Sequence, residues 1–270
     1  MVYWNKYGQR GETGRMKTEN DRPQDADILA GRNAVAEALR SGRPLDCVWV
    51  ARGDRTGSIR PLLARCREQG VLIKEVDPRK LDAACGPHHQ GIAAVAACKA
   101  YATVDDLFAA AKAKGEPPFL VVCDELNDPH NLGAIVRTAE AAGAHGVIIP
   151  KHRSAGLTST VYKASAGAVE YLPVARVSNI TDTLKALKKR GVWVYGLDMD
   201  GEPWCQTDLT GALAIVVGSE GSGMGRLVRE QCDGVLSLPM KGQINSLNAS
   251  VACGIALYEA ARQRDGVAAR

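Results

Sequence analysis

The chain has 270 residues, 46% of them hydrophobic, which is enough apolar surface to form one large domain or two ordinary ones. No apolar run reaches the length of a membrane span and the N-terminus is polar rather than signal-like, so we expect a cytoplasmic protein. A net charge of +4 permits a nucleic-acid partner but does not establish one.

Residues 1–26 are polar, contain several glycines and have no periodic apolar pattern, which predicts a flexible tail. Residues 27–98 alternate strand-like segments ("LDCVWVAR", "VLIKEV", "QGIAAVAACKA") with helical ones ("NAVAEALRSG", "SIRPLLARCREQG"). This pattern predicts a small α/β domain. Residues 99–117 hold a short helix that ends at Gly115 and is followed by two prolines, which is typical of a linker.

A second domain is predicted over residues 118–265. The near-continuous apolar run "FLVVCDEL" indicates a buried strand, and "NLGAIVRTAEAAGA" indicates the helix that follows it. Further strands at "GVIIP", "EYLPVAR", "VWVYGLD", "ALAIVVG" and "GVLSLPM" alternate with helical segments, which predicts a parallel sheet covered on both faces. Ligands of such sheets bind beyond the carboxyl ends of the strands, so the loops at those ends are the candidate sites.

The eight cysteines form no C-x-x-C pair and several lie in apolar runs, so we interpret them as small buried hydrophobic residues. The only close pair of possible metal ligands, His88 and His89, has no partner cluster nearby. We therefore expect no structural metal.

A glycine-rich loop, "GSEGSGMG" at residues 218–225, follows one of the predicted strands. Such glycines let backbone N–H groups approach an anion. However, the loop has neither the Gly-Lys-Ser/Thr ending of a P-loop nor the G-x-G-x-x-G placement of a dinucleotide site. Glu220 at its centre would also repel a phosphate. A cofactor with a cationic centre suits this loop better, and the sulfonium of S-adenosylmethionine carries such a charge.

Polar side chains follow two other predicted strands. Asn131 could be the N-cap of its helix, and Arg137 could form a surface pair with Glu140 three residues later. The last strand is followed by "KGQINSLN", in which Ser246 and Asn248 precede an almost wholly apolar helix. Only one of these two side chains can cap that helix, so the other polar group needs a different purpose.

Three segments resemble, in the same order, the motifs of the SpoU (TrmH-like) branch of the SPOUT RNA 2′-O-methyltransferases. They are "NDPHNLGAIVRTAEAAGA", "IVVGSEGSGM" and "LPMKGQINSLNASVACGIALYE", and the resemblance covers residues 118 to 262. In the first domain, "ILAGRNAVAEALRSG" and "HHQGIAA" are similar to the substrate-binding module of RlmB-like guanosine methyltransferases of 23S ribosomal RNA.

Periodicity alone would predict a Rossmann-like sheet, since chain knots are essentially absent from proteins. The resemblance instead implies an α/β parallel-sheet SPOUT domain with a C-terminal trefoil knot, formed by residues 214–262, after a small α/β substrate-binding domain. In such a fold the segment "NSLN" lies at the centre of the cofactor and catalytic site. Family members are dimers that pack apolar helices together, and the last helix here is apolar on nearly every side, so we expect a homodimer.

The resemblance also implies the site residues and their roles. The residues it assigns to catalysis or RNA positioning are Asn131, Arg137, Glu220, Ser246 and Asn248. The residues it assigns to S-adenosylmethionine binding are Leu197, Gly218, Leu238, Met240 and Leu247. A guanidinium does not readily lose its proton in proteins. We therefore interpret Arg137 as a clamp on the target phosphate that stabilises the oxyanion, rather than as the general base.

The reaction implied is 2′-O-methylation of a guanosine in 23S ribosomal RNA, with another rRNA or tRNA nucleotide as the alternative. Arg32 and Asn33 are the best candidates for RNA contacts in the first domain, although Arg32 could equally be solvated at a helix start. Two hypotheses of other classes remain: a nucleotide-dependent oxidoreductase on a Rossmann sheet, and a catalytically silent RNA-binding protein. The intact set of five catalytic residues argues against the silent protein.

Overall fold

Two β-sheets, each with its own helices, follow one another along the chain. The computed structural model describes residues 28–53, 58–219 and 221–267. The predicted tail, residues 1–26, and the predicted catalytic residue Glu220 therefore lie outside the described residues.

The first unit contains β1 (Ile28–Ala30), α1 (Arg32–Ser41), β2 (Leu45–Ala51), α2 (Ile59–Glu68), β3 (Leu72–Val76), α3 (Pro78–Cys85) and β4 (Ile92–Ala96). Its sheet has the order β1-β4-β2-β3, in which β2 and β3 are parallel and β4 is antiparallel to both of its neighbours. Helix α3 was not predicted, although Asp77 accepts a hydrogen bond from the Arg79 N–H and Pro78 takes the first turn, which are common helix-start features.

Helix α4 (Val104–Lys114) leads into the second unit and ends at Gly115, as the sequence predicts. That unit contains β5 (Phe119–Cys123), α5 (Pro129–Ala141), β6 (Gly146–Pro150), α6 (Ser159–Ala164), a 3₁₀ turn (Ala168–Glu170), β7 (Val174–Val177), α7 (Ile180–Lys189), β8 (Trp193–Pro203), β9 (Leu213–Val217), α8 (Arg226–Arg229), β10 (Gly234–Ser237) and α9 (Ala249–Arg264). The sheet order is β10-β8-β9-β5-β6-β7, and every pairing is parallel. The predicted α/β class with a parallel sheet is confirmed, whereas the trefoil knot stays a prediction.

The central strands of this sheet are the apolar runs of the sequence. Every residue of β5 and of its neighbour β9 is buried. Helices α5 and α9 cover one face of the sheet, and α4, α7 and α8 contribute to the cluster on the other. With both faces closed, the loops at the carboxyl edge are left as the accessible part of the sheet.

Strand β7 is shorter than predicted, because it begins at Val174 rather than at Glu170. Glu170 belongs to the 3₁₀ turn, and Pro173, immediately before the strand, has no N–H to donate to a neighbour. The periodic apolar pattern of "EYLPVAR" therefore spans a turn and a strand.

Strand β8 is longer than predicted and contains a bulge. Val235 of β10 pairs with Gly196, but the next residue, Leu236, pairs with Glu202. Residues 197–201 therefore arch out between two consecutive pairs. Gly201 permits this, because a Cβ atom there would lie 2.3 Å from the Val235 carbonyl oxygen. The arch projects from the carboxyl half of β8.

Within the described ranges, no helix is long and apolar enough to cross a membrane, and no three His, Cys, Asp or Glu side chains form a group that could hold a metal ion. All eight cysteines are free thiols. Cys205 is exposed, so it departs from the predicted burial of the cysteines.

Candidate active site

Loops from separate parts of the sequence enclose a cavity at the carboxyl edge of the large sheet. The cavity has a volume of about 280 Å³. Its walls come from the β8 arch, the glycine-rich loop after β9, the segment after β10 and the first turns of α9. All five residues predicted to bind the cofactor line it: Leu197, Gly218, Leu238, Met240 and Leu247.

The cavity wall is apolar apart from a few hydroxyl and amide groups and one carboxylate, that of Asp198. No basic residue belongs to the described part of the lining. The backbone N–H of Met199 donates to Asp198 Oδ1 over 2.8 Å, and Arg229 bridges Asp198 and Asp200. Asp198 was not singled out from the sequence, although it is the acidic residue that ends the predicted strand "VWVYGLD".

The glycine-rich loop is closed by its own backbone. Ser219 and Gly223 exchange two N–H to C=O hydrogen bonds of 2.9 and 3.0 Å, and Gly223 has φ = +65°, a conformation that favours glycine. A Cβ atom on Gly218 would lie 2.1 Å from the Gly223 carbonyl carbon and 2.3 Å from the Met224 nitrogen. Only glycine therefore fits at position 218 without moving the loop backbone.

A buried carboxylate attaches this loop to the end of β5. Asp124 Oδ2 accepts a hydrogen bond from the Gly225 N–H over 2.8 Å, and Asp124 is only 5% exposed. Burial raises the pKa of this carboxyl, an effect that the Gly225 N–H opposes and Glu125 reinforces. Asp124 was also missed from the sequence; the acidic residue directly after a fully apolar strand was the feature that could have identified it.

Two predicted catalytic residues, Asn131 and Asn248, are hydrogen-bonded to each other. The Asn248 amide Nδ2 donates to Asn131 Oδ1 over 2.9 Å. Asn248 Oδ1 accepts from the N–H groups of Ser250 and Val251, so Asn248 is the N-cap of α9. This decides which of the two polar residues before α9 caps the helix, and it leaves Ser246 on the wall of the cavity.

The alternative that Asn131 caps its own helix is wrong. Asp128 is the N-cap of α5, with Oδ1 accepting from the His130 N–H over 2.9 Å. Burial by itself would raise the pKa of Asp128, but the hydrogen bonds from the His130 N–H and the Asn131 side chain outweigh it and lower that pKa. Asn131 is inside the first turn, 5% exposed, and its amide links the Asp128 carboxylate to Asn248.

Arg137 does not line the cavity. It is exposed on α5, and none of the described residues forms a hydrogen bond or ion pair with its guanidinium. The surface pair with Glu140 considered from the spacing is therefore not formed. Of the five predicted catalytic residues, the structure joins Asn131 to Asn248, places Ser246 on the cavity and leaves Arg137 exposed, while Glu220 is outside the described residues.

Comparison with known families matches both units of the chain. The profile of the SpoU rRNA Methylase family matches residues 118–258, and one described as RNA 2′-O ribose methyltransferase substrate binding matches residues 28–102. YacO of Bacillus subtilis (strain 168), named for the TrmH family of tRNA/rRNA methyltransferases, is 49% identical over 90% of this chain and 98% of its own length. An uncharacterized tRNA/rRNA methyltransferase of Mycolicibacterium vanbaalenii is 47% identical over 89% of this chain and 77% of its own.

Solved structures resemble the chain as well. The SpoU methyltransferase AviRb from Streptomyces viridochromogenes, in complex with the cofactor AdoMet, aligns with a TM-score of 0.56 and 27% identity, over 88% of this chain and 90% of that one. The A. aeolicus TrmH/SpoU tRNA modifying enzyme aligns with a TM-score of 0.51 and 28% identity, over 56% of this chain and 77% of that one.

The close approach at Gly218 generates a test of the cavity. In Gly218→Ala, the added methyl group should displace the 218–224 loop and weaken S-adenosylmethionine binding by about tenfold or more, as measured by titration calorimetry. Gly211→Ala, on the opposite end of β9, is the matched control, because no heavy atom lies within 4 Å of a Cβ placed there. Equal cofactor affinity in both variants would contradict the assignment of Gly218 to the binding wall.

The Asn131–Asn248 hydrogen bond generates a second test. Asn248→Asp should keep the cap but oppose Asn131 Oδ1 with a carboxylate oxygen, and so lower the unfolding free energy by about 1–3 kcal/mol in urea titrations. The matched control is Asn179→Asp at the exposed cap of α7, where a change below about 0.5 kcal/mol is expected. If the two variants lose the same stability, the hydrogen bond contributes nothing beyond capping.

Proposed function

This chain belongs to the SpoU rRNA methylase family, and on that premise we propose that it methylates the ribose 2′-hydroxyl of a guanosine in 23S ribosomal RNA. It is an RNA 2′-O-ribose methyltransferase that uses S-adenosylmethionine. The observation that carries the proposal is the convergence of the three motif segments: the cavity lies between the second and third, and the Asn131–Asn248 hydrogen bond joins the first to the third. We place the enzyme in the cytoplasm, with its RNA.

The cavity fits S-adenosylmethionine better than a dinucleotide. Asp198 is the one charged residue in its described lining and is already paired with Arg229, so the wall offers a pyrophosphate no cation of its own. This argues against the oxidoreductase hypothesis. Backbone groups at Gly218, Leu238, Met240 and Leu247 would hold the adenine and ribose. When bound, the cofactor supplies an electrophilic methyl group.

The protein's own contribution is then orientation and charge stabilisation. Ser246, on the cavity wall, orients the ribose hydroxyl toward the methyl group. Asn248 has both of its amide atoms engaged, by Asn131 and by the start of α9, so it acts by holding the Ser246 segment in place. Glu220 fixes either Arg137 or an RNA ribose.

Arg137 is suited to hold the RNA. Its guanidinium presents a planar fork of N–H donors that matches a phosphate. Because it is exposed and has no partner among the described residues, it is available to the substrate. We assign it to clamping the target phosphate and stabilising the developing 2′-oxyanion.

We also propose that the enzyme is a homodimer. The surface of α9 that faces away from the sheet is apolar, with Val251 50% and Tyr258 55% exposed, and Leu247 precedes it at the same helical spacing. Exposed apolar stripes of this kind mark association surfaces. Helix α5, which carries Arg137, packs beside α9, so dimer formation on this surface would bring the clamp close to the interface.

Support for an RNA substrate comes from the first unit, which matches the RNA 2′-O ribose methyltransferase substrate-binding profile. Arg32 is engaged there, donating from Nε to the Gln90 carbonyl and from Nη1 to Ser58 Oγ, each over 3.2 Å, while Asn33 is exposed. Asn33 is thus the freer of the two predicted RNA contacts. The names of the relatives include both tRNA and rRNA, so tRNA is the second candidate substrate.

The deciding experiment maps the methyl group. Unmodified large-subunit RNA and unmodified tRNA are each incubated with the protein and S-adenosylmethionine, and the products are digested and analysed by mass spectrometry. We expect one new 2′-O-methylguanosine in 23S rRNA. A methyl group on tRNA or on an adenosine would overturn the substrate, and a methyl group on a base would also overturn the reaction.

The role of Arg137 has its own test. Arg137→Ala should lower the rate of methyl transfer by about 10²–10³-fold, with cofactor affinity and melting temperature nearly unchanged. Arg153→Ala is the matched control, because Arg153 is an exposed arginine on the loop after β6 that pairs with Glu125. A near-normal rate of methyl transfer in Arg137→Ala would contradict the clamp and show that Arg137 is an ordinary surface arginine.

A further inference from the structure

A buried ion pair joins the two units of the chain. Asp46, at the start of β2 in the first sheet, meets Arg176 of β7 in the second, 130 residues later. Arg176 Nη1 lies 2.9 Å from Asp46 Oδ1 and 2.8 Å from the Asp46 carbonyl oxygen. The two side chains are only 7% and 10% exposed. Both charges are therefore removed from water at the boundary between the units.

Tyr101, from the connection between the units, completes this contact. Its hydroxyl donates to Asp46 Oδ1 over 2.8 Å and accepts from the Leu157 N–H over 2.9 Å. The guanidinium carbon of Arg176 lies 3.9 Å from the centre of the Tyr101 ring. The arginine is thus held by a carboxylate, a carbonyl oxygen and an aromatic face at once.

The loop between β6 and α6 leaves room for this contact only because of a glycine. A Cβ atom on Gly156 would lie 1.9 Å from Asp46 Oδ1. In the same loop, the Leu157 carbonyl oxygen accepts a hydrogen bond from the Cys98 N–H over 2.7 Å. It also donates from the Ala155 N–H to the Leu126 carbonyl over 2.8 Å. Leu126 belongs to the loop that leads to the candidate catalytic residues, so the first unit is connected to that loop through hydrogen bonds.

A buried ion pair of this kind adds little net stability, because its desolvation cost offsets the attraction, and apolar side chains of similar size can hold two surfaces equally well. The pair instead fixes the relative orientation of the two sheets. The hydrogen bonds to Asp46 and the ring contact with Tyr101 are satisfied together in one such orientation. An RNA held by the first unit must present its ribose to the cavity at a defined distance and angle for the reaction to proceed.

We propose that Asp46, Tyr101 and Arg176 form an interdomain clamp that fixes the substrate-binding domain on the methyltransferase domain and so sets how the RNA is presented to the active site. The role in presenting RNA rests on the proposed function above. All three are positioning residues: they act on the substrate through the orientation of the domain that binds it.

The first test uses three changes of increasing severity: Tyr101→Phe, Gly156→Ala and Arg176→Met. Each should increase hydrogen exchange at the Leu157 and Cys98 amides, while the β5 amides stay protected. Each should also raise KM for the RNA, and Arg176→Met should raise it by about tenfold or more. The Kd for S-adenosylmethionine should stay within about twofold of the wild-type value. Arg190→Met is the matched control, since Arg190 pairs with Asp105 over 2.7 Å and stacks on Phe108, all three outside the boundary with the first unit.

A second variant separates orientation from stability. Arg176→Met leaves the Asp46 charge buried and unpaired, which by itself can unfold the protein. The double variant Asp46→Leu with Arg176→Met removes both charges and should recover the melting temperature, but KM for the RNA should stay raised. Recovery of a wild-type KM in the double variant would overturn the orienting role, and unchanged exchange in all three single variants would overturn the clamp.

These outcomes are distinct from failure of the proposed function. If wild-type protein transfers no methyl group to large-subunit RNA or tRNA, the proposed function fails and the role in RNA presentation fails with it. Hydrogen exchange still decides whether the clamp holds the domains together, because that measurement needs no RNA.

Discussion

The hydrogen bond between Asn248 and Asn131 is the contact on which the site depends, because it joins two helix starts that are 117 positions apart in the chain. Each amide has its orientation set by its other partner: Asn131 donates to the Asp128 carboxylate, and Asn248 accepts from the first N–H groups of α9. Only one arrangement satisfies all of these groups. The segment just before α9, which forms part of the cavity wall, is thereby held beside the first turn of α5.

The cavity that results is built mainly from backbone and apolar side chains. Its position depends on two irregular features, the arch in β8 and the closed loop after β9, and neither continues the sheet. Asp124 attaches the second of these to β5 through Gly225. Asp198 is the only carboxylate in the described lining and Arg229 pairs with it, so the rest of that wall is apolar or carries hydroxyl and amide groups.

The same use of directional polar contacts recurs between the two units. Apolar packing holds the sheets and their helices together, as the two large clusters around β5 and β9 show. Elsewhere the chain buries charged and polar groups that pair directionally: the amide pair at the carboxyl edge of the large sheet, and Asp46 with Arg176 at the boundary between the units. Burying such groups costs free energy of folding. Each of them therefore marks a position where a fixed relative orientation of the packed elements offsets a loss of stability.

The sequence by itself determined the class of the fold, because β5 and β9 are apolar runs of the kind that only a sheet covered on both faces can bury, and helical patterns between the strands require parallel pairing. It also determined which loops matter, since the polar segments follow strand ends. Motif resemblance supplied the predicted site residues, six of which line one cavity.

Only the tertiary structure decided the rest. Asp128 and Asn131 can both cap a helix, as can Ser246 and Asn248, and the backbone geometry chose one of each pair. The arch in β8 depends on its register with β10, which is formed by residues about 40 positions away and leaves no local pattern. Asp46 and Arg176 are ordinary charged residues in the sequence, 130 positions apart, and only the folded chain brings them together out of water.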